Sequence, residues 1–171
     1  MADIHVKEEL DSIDYLTVGF YRLSFGVSAI AMLLFNFIAF EYASQLLICS
    51  SLVAAACMHI YDKNIRWIIL GSALFSVCWL AIGIAPILAV GASFLVTSGL
   101  AIKEYYCFRI YLVRITPVVL IIYWLSLLIP ILPIITHGLA IASFLLLSGI
   151  CIAKFRQPFH FDIGDKSKFQ E

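Results

Sequence analysis

The charged residues best placed to do chemistry lie in the segment KEYYCFR, at residues 103–109, between two long apolar stretches. Glu104 and Arg109 are five residues apart there, with Lys103 adjacent. A carboxylate and a guanidinium at a helix end could bind an anionic headgroup or a loop of a partner protein. They could equally pair with each other or with neighbouring loops, and an exposed pair contributes only about 0–1 kcal/mol. The sequence favours pairing and leaves the binding role open.

Two histidines at the ends of apolar stretches are candidates for cofactor binding. His59 closes one stretch and His137 opens another. A neutral imidazole there could ligate the magnesium of a pigment, or it could donate to a carbonyl and orient a helix end. The two lie near opposite faces of the predicted bundle, so they cannot share one metal ion, and no metal site is predicted. The sequence does not identify a cofactor. Pigment binding at His59, His137 or Glu104 is a hypothesis that the sequence leaves open but does not favour.

A second group of polar residues surrounds the turn after the first apolar stretch. Asn36, Glu41 and Gln45 lie at that turn, and His137 is expected near it. Hydrogen bonds of this kind between membrane helices average about 0.6 kcal/mol, so they favour specificity more than stability. With Thr97, the residues Asn36, Gln45 and His137 could also form a polar path for a solute.

Signatures of enzymes are missing from the sequence. It contains no HExxH, GxSxG, P-loop or GxGxxG pattern. Its five cysteines are scattered singly and form no CxxC pair, which favours a role as small buried hydrophobes. The chain is therefore not predicted to be an enzyme.

The elements that must position these residues follow from composition. The chain is 63% hydrophobic and only 13% charged, with a mean hydropathy of +1.04, values typical of a polytopic membrane protein. A bilayer core needs about 20 apolar residues in a helix. Six stretches are long enough: 23–40, 43–60, 67–84, 86–102, 112–129 and 133–153.

The connections between these stretches predict three helical hairpins. Breaks at Glu41, at Gly83 to Pro86 and at Pro130 to Pro133 are short and carry almost no charge. The other connections carry charge, and Pro117 predicts a kink near the start of the fifth stretch.

The distribution of charge predicts orientation. All 11 Lys and Arg residues fall on one side of the predicted bundle, and Glu41 is the only formal charge on the other. The positive-inside rule then places both termini in the cytoplasm. The net charge is zero, so the chain lacks the excess of positive charge that is typical of proteins that bind nucleic acid. The expected partners are the bilayer and other membrane proteins.

The fold class is therefore all-α, with three regions. Residues 1–22 form an N-terminal cytoplasmic segment, for which an amphipathic helix along the membrane surface and docking on the protein's own loops both stay open. Residues 23–153 form a six-helix transmembrane bundle. Residues 154–171 form a cytoplasmic tail, predicted to be extended and exposed.

Two sequence segments resemble those of a known family: KEYYCFR at 103–109 and QPFHFDIGDKSKF at 157–169. They resemble a family of small uncharacterised integral membrane proteins of cyanobacteria, with six spans and no assigned activity. The resemblance implies a location in the thylakoid or plasma membrane and a link to photosynthetic membranes. It implies no site residues.

Three functional hypotheses follow. The first is an accessory or scaffold protein that assists assembly of a membrane complex, because its exposed cytoplasmic segments are distinctive and its spans lack central charges. Its predicted partner contacts are Glu104, Tyr105, Arg109, Phe159, His160 and Asp162. The alternatives are a small transporter or channel for a neutral or weakly polar solute, and a protein that binds a pigment or lipid.

Overall fold

The computed structural model describes residues 10–108, 111–129 and 133–164, with only the backbone at residues 111 and 112. Seven α-helices and one 3₁₀ helix are found there: α1 (Ser12–Leu34), α2 (Phe40–Ala56), α3 (Lys63–Ile82), α4 (Pro86–Phe108), the 3₁₀ helix (Tyr111–Ile115), α5 (Thr116–Leu128), α6 (Pro133–Phe155) and α7 (His160–Ile163). The described ranges contain no β-strand. The all-α prediction is confirmed.

Within the described ranges, four helices are long and apolar enough to cross a membrane. They are α1, α3, α4 and α6, whereas α2 and α5 are apolar but shorter. Each of the six overlaps one of the predicted apolar stretches. The number of spans and the cytoplasmic position of the termini stay predictions.

Helices α1 to α6 pack as a closed ring in chain order. Each contacts the next, α6 closes the ring against α1, and α2 also contacts α4 across the interior. The core lies inside this ring and includes Phe25 and Met32 of α1, Leu100 of α4, Tyr123 of α5 and Leu147 of α6. By contrast, α3 is peripheral, because its buried residues are only Ile69, Ala73 and Ser76.

The first helix begins earlier than the first apolar stretch. Asp11 and Asp14 form a capping box, in which each side chain accepts a hydrogen bond from the other's backbone N–H, at 2.9 and 3.1 Å. From Ser12 the helix continues without a break to Leu34. Residues 12–22 are thus its first turns and not a separate surface helix; residues 1–9 lie outside the described part.

Proline and glycine set the other helix ends. Pro86 and Pro133 begin α4 and α6, where the missing N–H has no helical partner to lose. Gly83 ends α3 with a φ of 75°, which a residue without Cβ adopts at little cost. Pro117, where a kink was expected, falls in the first turn of α5 directly after the 3₁₀ helix, a position that proline occupies without breaking a helical hydrogen bond.

The C-terminal segment differs most from prediction. It was expected to be extended and exposed, but after α6 ends at Phe155 the chain turns back and forms α7. Asp162 and Ile163 in α7 are only 3% and 2% exposed. The prediction of an exposed tail was wrong for residues 162–164, which are buried against the bundle, whereas Pro158 is exposed; residues 165–171 lie outside the described part.

Candidate functional site

Four charged side chains from four different helices meet at one end of the bundle. They are Arg22 of α1, Glu104 of α4, Lys154 of α6 and Asp162 of α7, called here the charge cluster. All four are buried. A buried charge in a membrane protein is costly unless it is paired. With two cations and two anions, the cluster is formally neutral.

The guanidinium of Arg22 is directed entirely at the C-terminal segment. Its Nε donates to Asp162 Oδ2 at 2.8 Å, Nη1 donates to the Gln157 carbonyl at 2.8 Å, and Nη2 donates to the Pro158 carbonyl at 2.9 Å. The Phe159 ring centroid lies 4.4 Å from its Cζ, a cation–π arrangement. Arg22 therefore fixes both the backbone and the side chains of this segment.

Lys154 lies between the two carboxylates. Its Nζ contacts Asp162 Oδ1 and lies 2.9 Å from Glu104 Oε2. The contact with Glu104 is an ion pair without directed hydrogen-bond geometry, since Oε2 accepts no well-aligned hydrogen bond from the described residues. Lys154 is also in the last turn of α6, where the helix dipole favours a cation, and its Nζ is 3.9 Å from the Phe108 ring centroid.

Tyr21 and Lys103 complete the surroundings of Glu104. The Tyr21 hydroxyl donates to Glu104 Oε1 at 2.6 Å. Lys103 Nζ is 3.4 Å from the same oxygen and 4.5 Å from the Tyr21 ring centroid. The Lys103 side chain is 12% exposed, so this cation forms the edge of the cluster.

Helical periodicity places Glu104 inside the bundle. It follows Leu100 by four residues on the buried face of α4, so its side chain continues the core stripe past the last apolar turn. The predicted position in an exposed turn was therefore wrong. Its expected partner Arg109 lies outside the described part; the partners that the structure shows for Glu104 are Lys154, Lys103 and Tyr21.

The cluster is suited to holding the fold rather than to chemistry on a substrate. Both oxygens of Asp162 face cations, as do both oxygens of Glu104. Removing one member of a buried charge network costs about 3–5 kcal/mol, because its partner is left uncompensated. In the described residues, no three His, Cys, Asp or Glu side chains gather as a metal ion would require.

The predicted partner contacts separate into two groups. Glu104 and Asp162 are buried, and their carboxylates pair with basic side chains inside the protein. They are therefore not available as the predicted contacts with a partner. Tyr105, Phe159 and His160 are half-buried at the same end of the bundle. Of the predicted contacts that the structure describes, this second group retains surface for another molecule, whereas Arg109 lies outside the described residues.

At the opposite end, the structure brings together two of the four predicted polar residues. His137 Nδ1 and Asn36 Oδ1 are 2.8 Å apart, which joins α6 to the turn after α1. Glu41 and Gln45 are exposed. Thr97 is buried and donates to a carbonyl of its own helix, so it does not line an open path with them.

The two histidines are not brought together. His59 is half-buried near the charge cluster, where it lines a cavity of about 70 Å³ with Lys103, Cys107 and Asp162. His137 is at the other end. Each could bind a cofactor only separately.

Serine hydroxyls connect four helices in the interior. Ser28 and Ser50 are 2.8 Å apart, Ser51 donates to Ser93 at 3.1 Å, and Ser76 is 2.7 Å from Ser93. These contacts link α1 to α2, α2 to α4, and α4 to α3. Small hydroxyl residues let helices approach closely and hydrogen-bond across the contact.

A groove of about 730 Å³ opens on the outer surface between α3, α4 and α5. Its walls are mainly aromatic, aliphatic and very small side chains, including Trp67, Phe75, Gly91 and Trp124. This groove was not predicted from the sequence. No single stretch contains its walls, so only the spacing of small residues beside tryptophan could have indicated it.

Tyr21, Arg22 and Lys154 were not predicted to be site residues from the sequence. Arg22 and Lys154 adjoin apolar stretches and were interpreted as orientation signals. The available signal was the capping pair at Asp11 and Asp14, which starts the helix early enough to make Arg22 an interior residue.

Comparisons with known proteins give a family and one full-length relative. Residues 77–170 match the model of a family described as uncharacterized integral membrane protein (DUF2301). The chain is 35% identical to an uncharacterized protein of Haemophilus influenzae (strain ATCC 51907 / DSM 11121 / KW20 / Rd), over 99% of both chains. No solved structure matches. The relative is not cyanobacterial, so the comparison gives no support to the cyanobacterial part of the resemblance.

Proposed function

The chain belongs to the family of integral membrane proteins described as DUF2301, and we propose that it is a non-enzymatic accessory protein of the bacterial plasma membrane. In this proposal six helices span the bilayer, with both termini in the cytoplasm. The C-terminal segment forms a platform on which another membrane protein assembles. The Haemophilus relative supports the plasma membrane as the location, in place of a thylakoid.

The observation that carries the proposal is the set of hydrogen bonds from Arg22 to residues 157–162. Its three donor nitrogens all bond to this segment, at two backbone carbonyls and one carboxylate. Holding an irregular segment in one conformation costs about 1–2 kcal/mol of backbone entropy per residue. A fixed segment avoids that cost on binding a partner, which supports a role in recognition.

The surface of the platform is aromatic and basic. Phe155, Arg156 and Pro158 are exposed, and His160 and Phe161 are half-buried. Aromatic residues and arginine are enriched where proteins bind each other. These exposed groups take the place of Glu104 and Asp162 as the proposed contacts.

A pull-down in mild detergent from native membranes tests the proposal. We expect a stoichiometric membrane protein to co-purify with the tagged chain and to be lost with R156E/H160A. Both substitutions are outside the charge cluster, so the fold should persist. H137A, at the opposite end, should retain the partner. Absence of a stoichiometric partner, or equal recovery with R156E/H160A, would overturn the proposal.

Transport of a small neutral or weakly polar solute is the second candidate. The contact between Asn36 and His137 favours it, because it places paired polar groups at the end of the bundle opposite the charge cluster. Flux into vesicles containing the purified protein is the test. Flux that disappears with H137A would favour transport, and no flux above protein-free vesicles would exclude it.

A further inference from the structure

The groove between α3, α4 and α5 has the dimensions and walls of a ligand site. Its volume of about 730 Å³ falls within the range of about 300–1,000 Å³ that is typical of small-molecule pockets. On α3 it is lined at helical spacing by Trp67, Gly71 and Phe75. The residues of α3 that pack into the bundle lie on its other side, so this face of α3 is not used by the fold.

The floor of the groove is mainly apolar, and the indole N–H of Trp124 in it is already bonded. The Trp124 indole lies across Gly91 of α4, where a Cβ would come within 2.7 Å of the ring. Its Nε1 donates to the Ile87 carbonyl at 2.9 Å. A hydrocarbon chain fits these walls better than a polar solute does.

Basic residues lie at one end of the groove. Lys63 precedes Trp67 by one helical turn on the same face of α3 and is exposed. Arg114 precedes the groove residue Ile121 by about two turns and is also exposed. Both belong to the end of the bundle where α3 begins and α4 ends.

Among the described residues, Asp62 and Arg66 are the other charged groups at the start of α3. Asp62 is the acidic group there, and its carboxylate accepts the Ile65 N–H at 3.0 Å as the N-cap of α3. Arg66, in the next turn, donates to the Ile60 carbonyl at 3.3 Å. At the start of α3 and in the 3₁₀ helix, the described side chains include three basic groups, Lys63, Arg66 and Arg114, and one acidic group, Asp62.

We propose that this groove binds an anionic phospholipid, with an acyl chain between α3, α4 and α5 and the headgroup phosphate at Lys63 and Arg114. Basic residues at the ends of transmembrane helices attract anionic lipids, with a gain of about fivefold in affinity for each residue near the surface. Exposed Tyr106, at the end of α4, and Trp67 lie at headgroup level, where amphipathic rings are favoured. This site is separate from the platform of the proposed function.

Quenching of tryptophan fluorescence by lipids with brominated acyl chains tests the site. The background is W79F, which leaves Trp67 and Trp124, both of which line the groove. The protein is placed in vesicles of dioleoyl phosphatidylcholine containing increasing fractions of brominated phosphatidylglycerol or brominated phosphatidylcholine. We expect the anionic lipid to quench at several-fold lower mole fraction than the neutral lipid.

Two sets of variants separate the headgroup from the chain. K63Q/R114Q should bring the preference for the anionic lipid close to one, and each single variant should lower it by about fivefold at most. R156Q, a matched loss of one exposed basic residue outside the groove, should preserve the preference. G71F, which fills open space in the groove, should reduce quenching by both lipids, whereas G138F on α6 should not.

Several outcomes would overturn the proposal. Equal quenching by the two lipids, or a preference that K63Q/R114Q leaves unchanged, would show that no headgroup site exists. Weak quenching by both lipids, with crosslinking of two copies through Cys substitutions on α3, would show that a second copy covers the groove. Helix content by circular dichroism and gel-filtration profiles identify a variant that does not fold. If K63Q/R114Q does not fold, the lipid preferences of K63Q and R114Q alone test the headgroup site.

Discussion

Arg22 and Asp162 are 140 residues apart in the sequence, and their side chains are joined by two hydrogen bonds, one of 2.8 Å from Nε. This contact connects the first long helix to the last short one. Lys154 and Glu104 extend it to α6 and α4. One end of the bundle is thus held by charges that the protein itself supplies and neutralises.

Loss of the Asp162 carboxylate should be strongly destabilising. We expect D162N to lower the free energy of unfolding by about 3–5 kcal/mol, because Arg22 and Lys154 would remain buried without their shared anion. Denaturant unfolding in a mild detergent measures this. E41Q, an exposed carboxylate at the opposite end, is the control and should stay within about 0.5 kcal/mol of the parent. A small effect of D162N would mean that the cluster is not closed in solution.

The two buried members of this contact should also be coupled. In a double-mutant cycle, R22M/D162L should lose less stability than R22M and D162L lose together, because the double variant leaves one fewer unpaired charge. The same unfolding measurement gives the coupling free energy. Simple additivity would be inconsistent with a direct interaction.

Two buried tyrosines should respond oppositely to loss of the hydroxyl group. Y21F removes the hydrogen bond to Glu104 and should cost about 1.5–3 kcal/mol, the range for a bond to a charged group. Y123F should be neutral or stabilising, since among the described residues the Tyr123 hydroxyl has no hydrogen-bond partner. Thermal unfolding of the two variants side by side checks this, and equal losses would count against it.

A methyl group at Gly91 should disturb the contact between α4 and α5. The new Cβ would lie 2.7 Å from Trp124, whose indole is held by its bond to Ile87. G91A should cost about 1–3 kcal/mol and shift tryptophan fluorescence. G138A, where no atom lies within 4 Å, is the control and should be neutral or slightly stabilising. A stable G91A with unchanged fluorescence would show that Trp124 is free to move.

The contact between Ser76 and Ser93 should couple α3 to α4 weakly. A cycle of S76A and S93A should give a coupling of about 0.6 kcal/mol, the average for such bonds in membrane proteins. S72A is the matched control, because the Ser72 hydroxyl bonds within its own helix and should show no coupling to S93A. Coupling of equal size between S72A and S93A would show that the Ser76–Ser93 hydrogen bond is not the source of the measured coupling.

The sequence predicts the helices well because their causes are local. Apolar runs, the proline at Pro86 and Pro133 and the left-handed glycine at Gly83 act over a few residues. The prediction that His137 lies near Asn36 also follows from such reasoning, since each was placed at the same end of its helix, and the two residues are in contact.

The sequence does not predict the partners in the charge cluster because their causes are distant. Whether Glu104 meets Arg109, Lys154 or solvent depends on the packing of α6 between α1 and α5, which hydropathy does not encode. The tail was predicted to be exposed on similar grounds. Its composition is that of a loop, and its residues 162–164 are buried where Arg22 and Lys154 supply donors for its carbonyls and for the Asp162 carboxylate.

The accessibility of Cys107 tests the anchoring of the C-terminal segment most directly. Cys107 lines a small cavity together with Asp162 and Ile163, so release of α7 would uncover it. In a protein whose four other cysteines are replaced by alanine, the rate of alkylation of Cys107 by a water-soluble maleimide is measured in native membranes. The account predicts slow modification in the parent and in E41Q, and modification several-fold faster in D162N. The same slow rate in D162N, in protein that is shown to be folded, would contradict it.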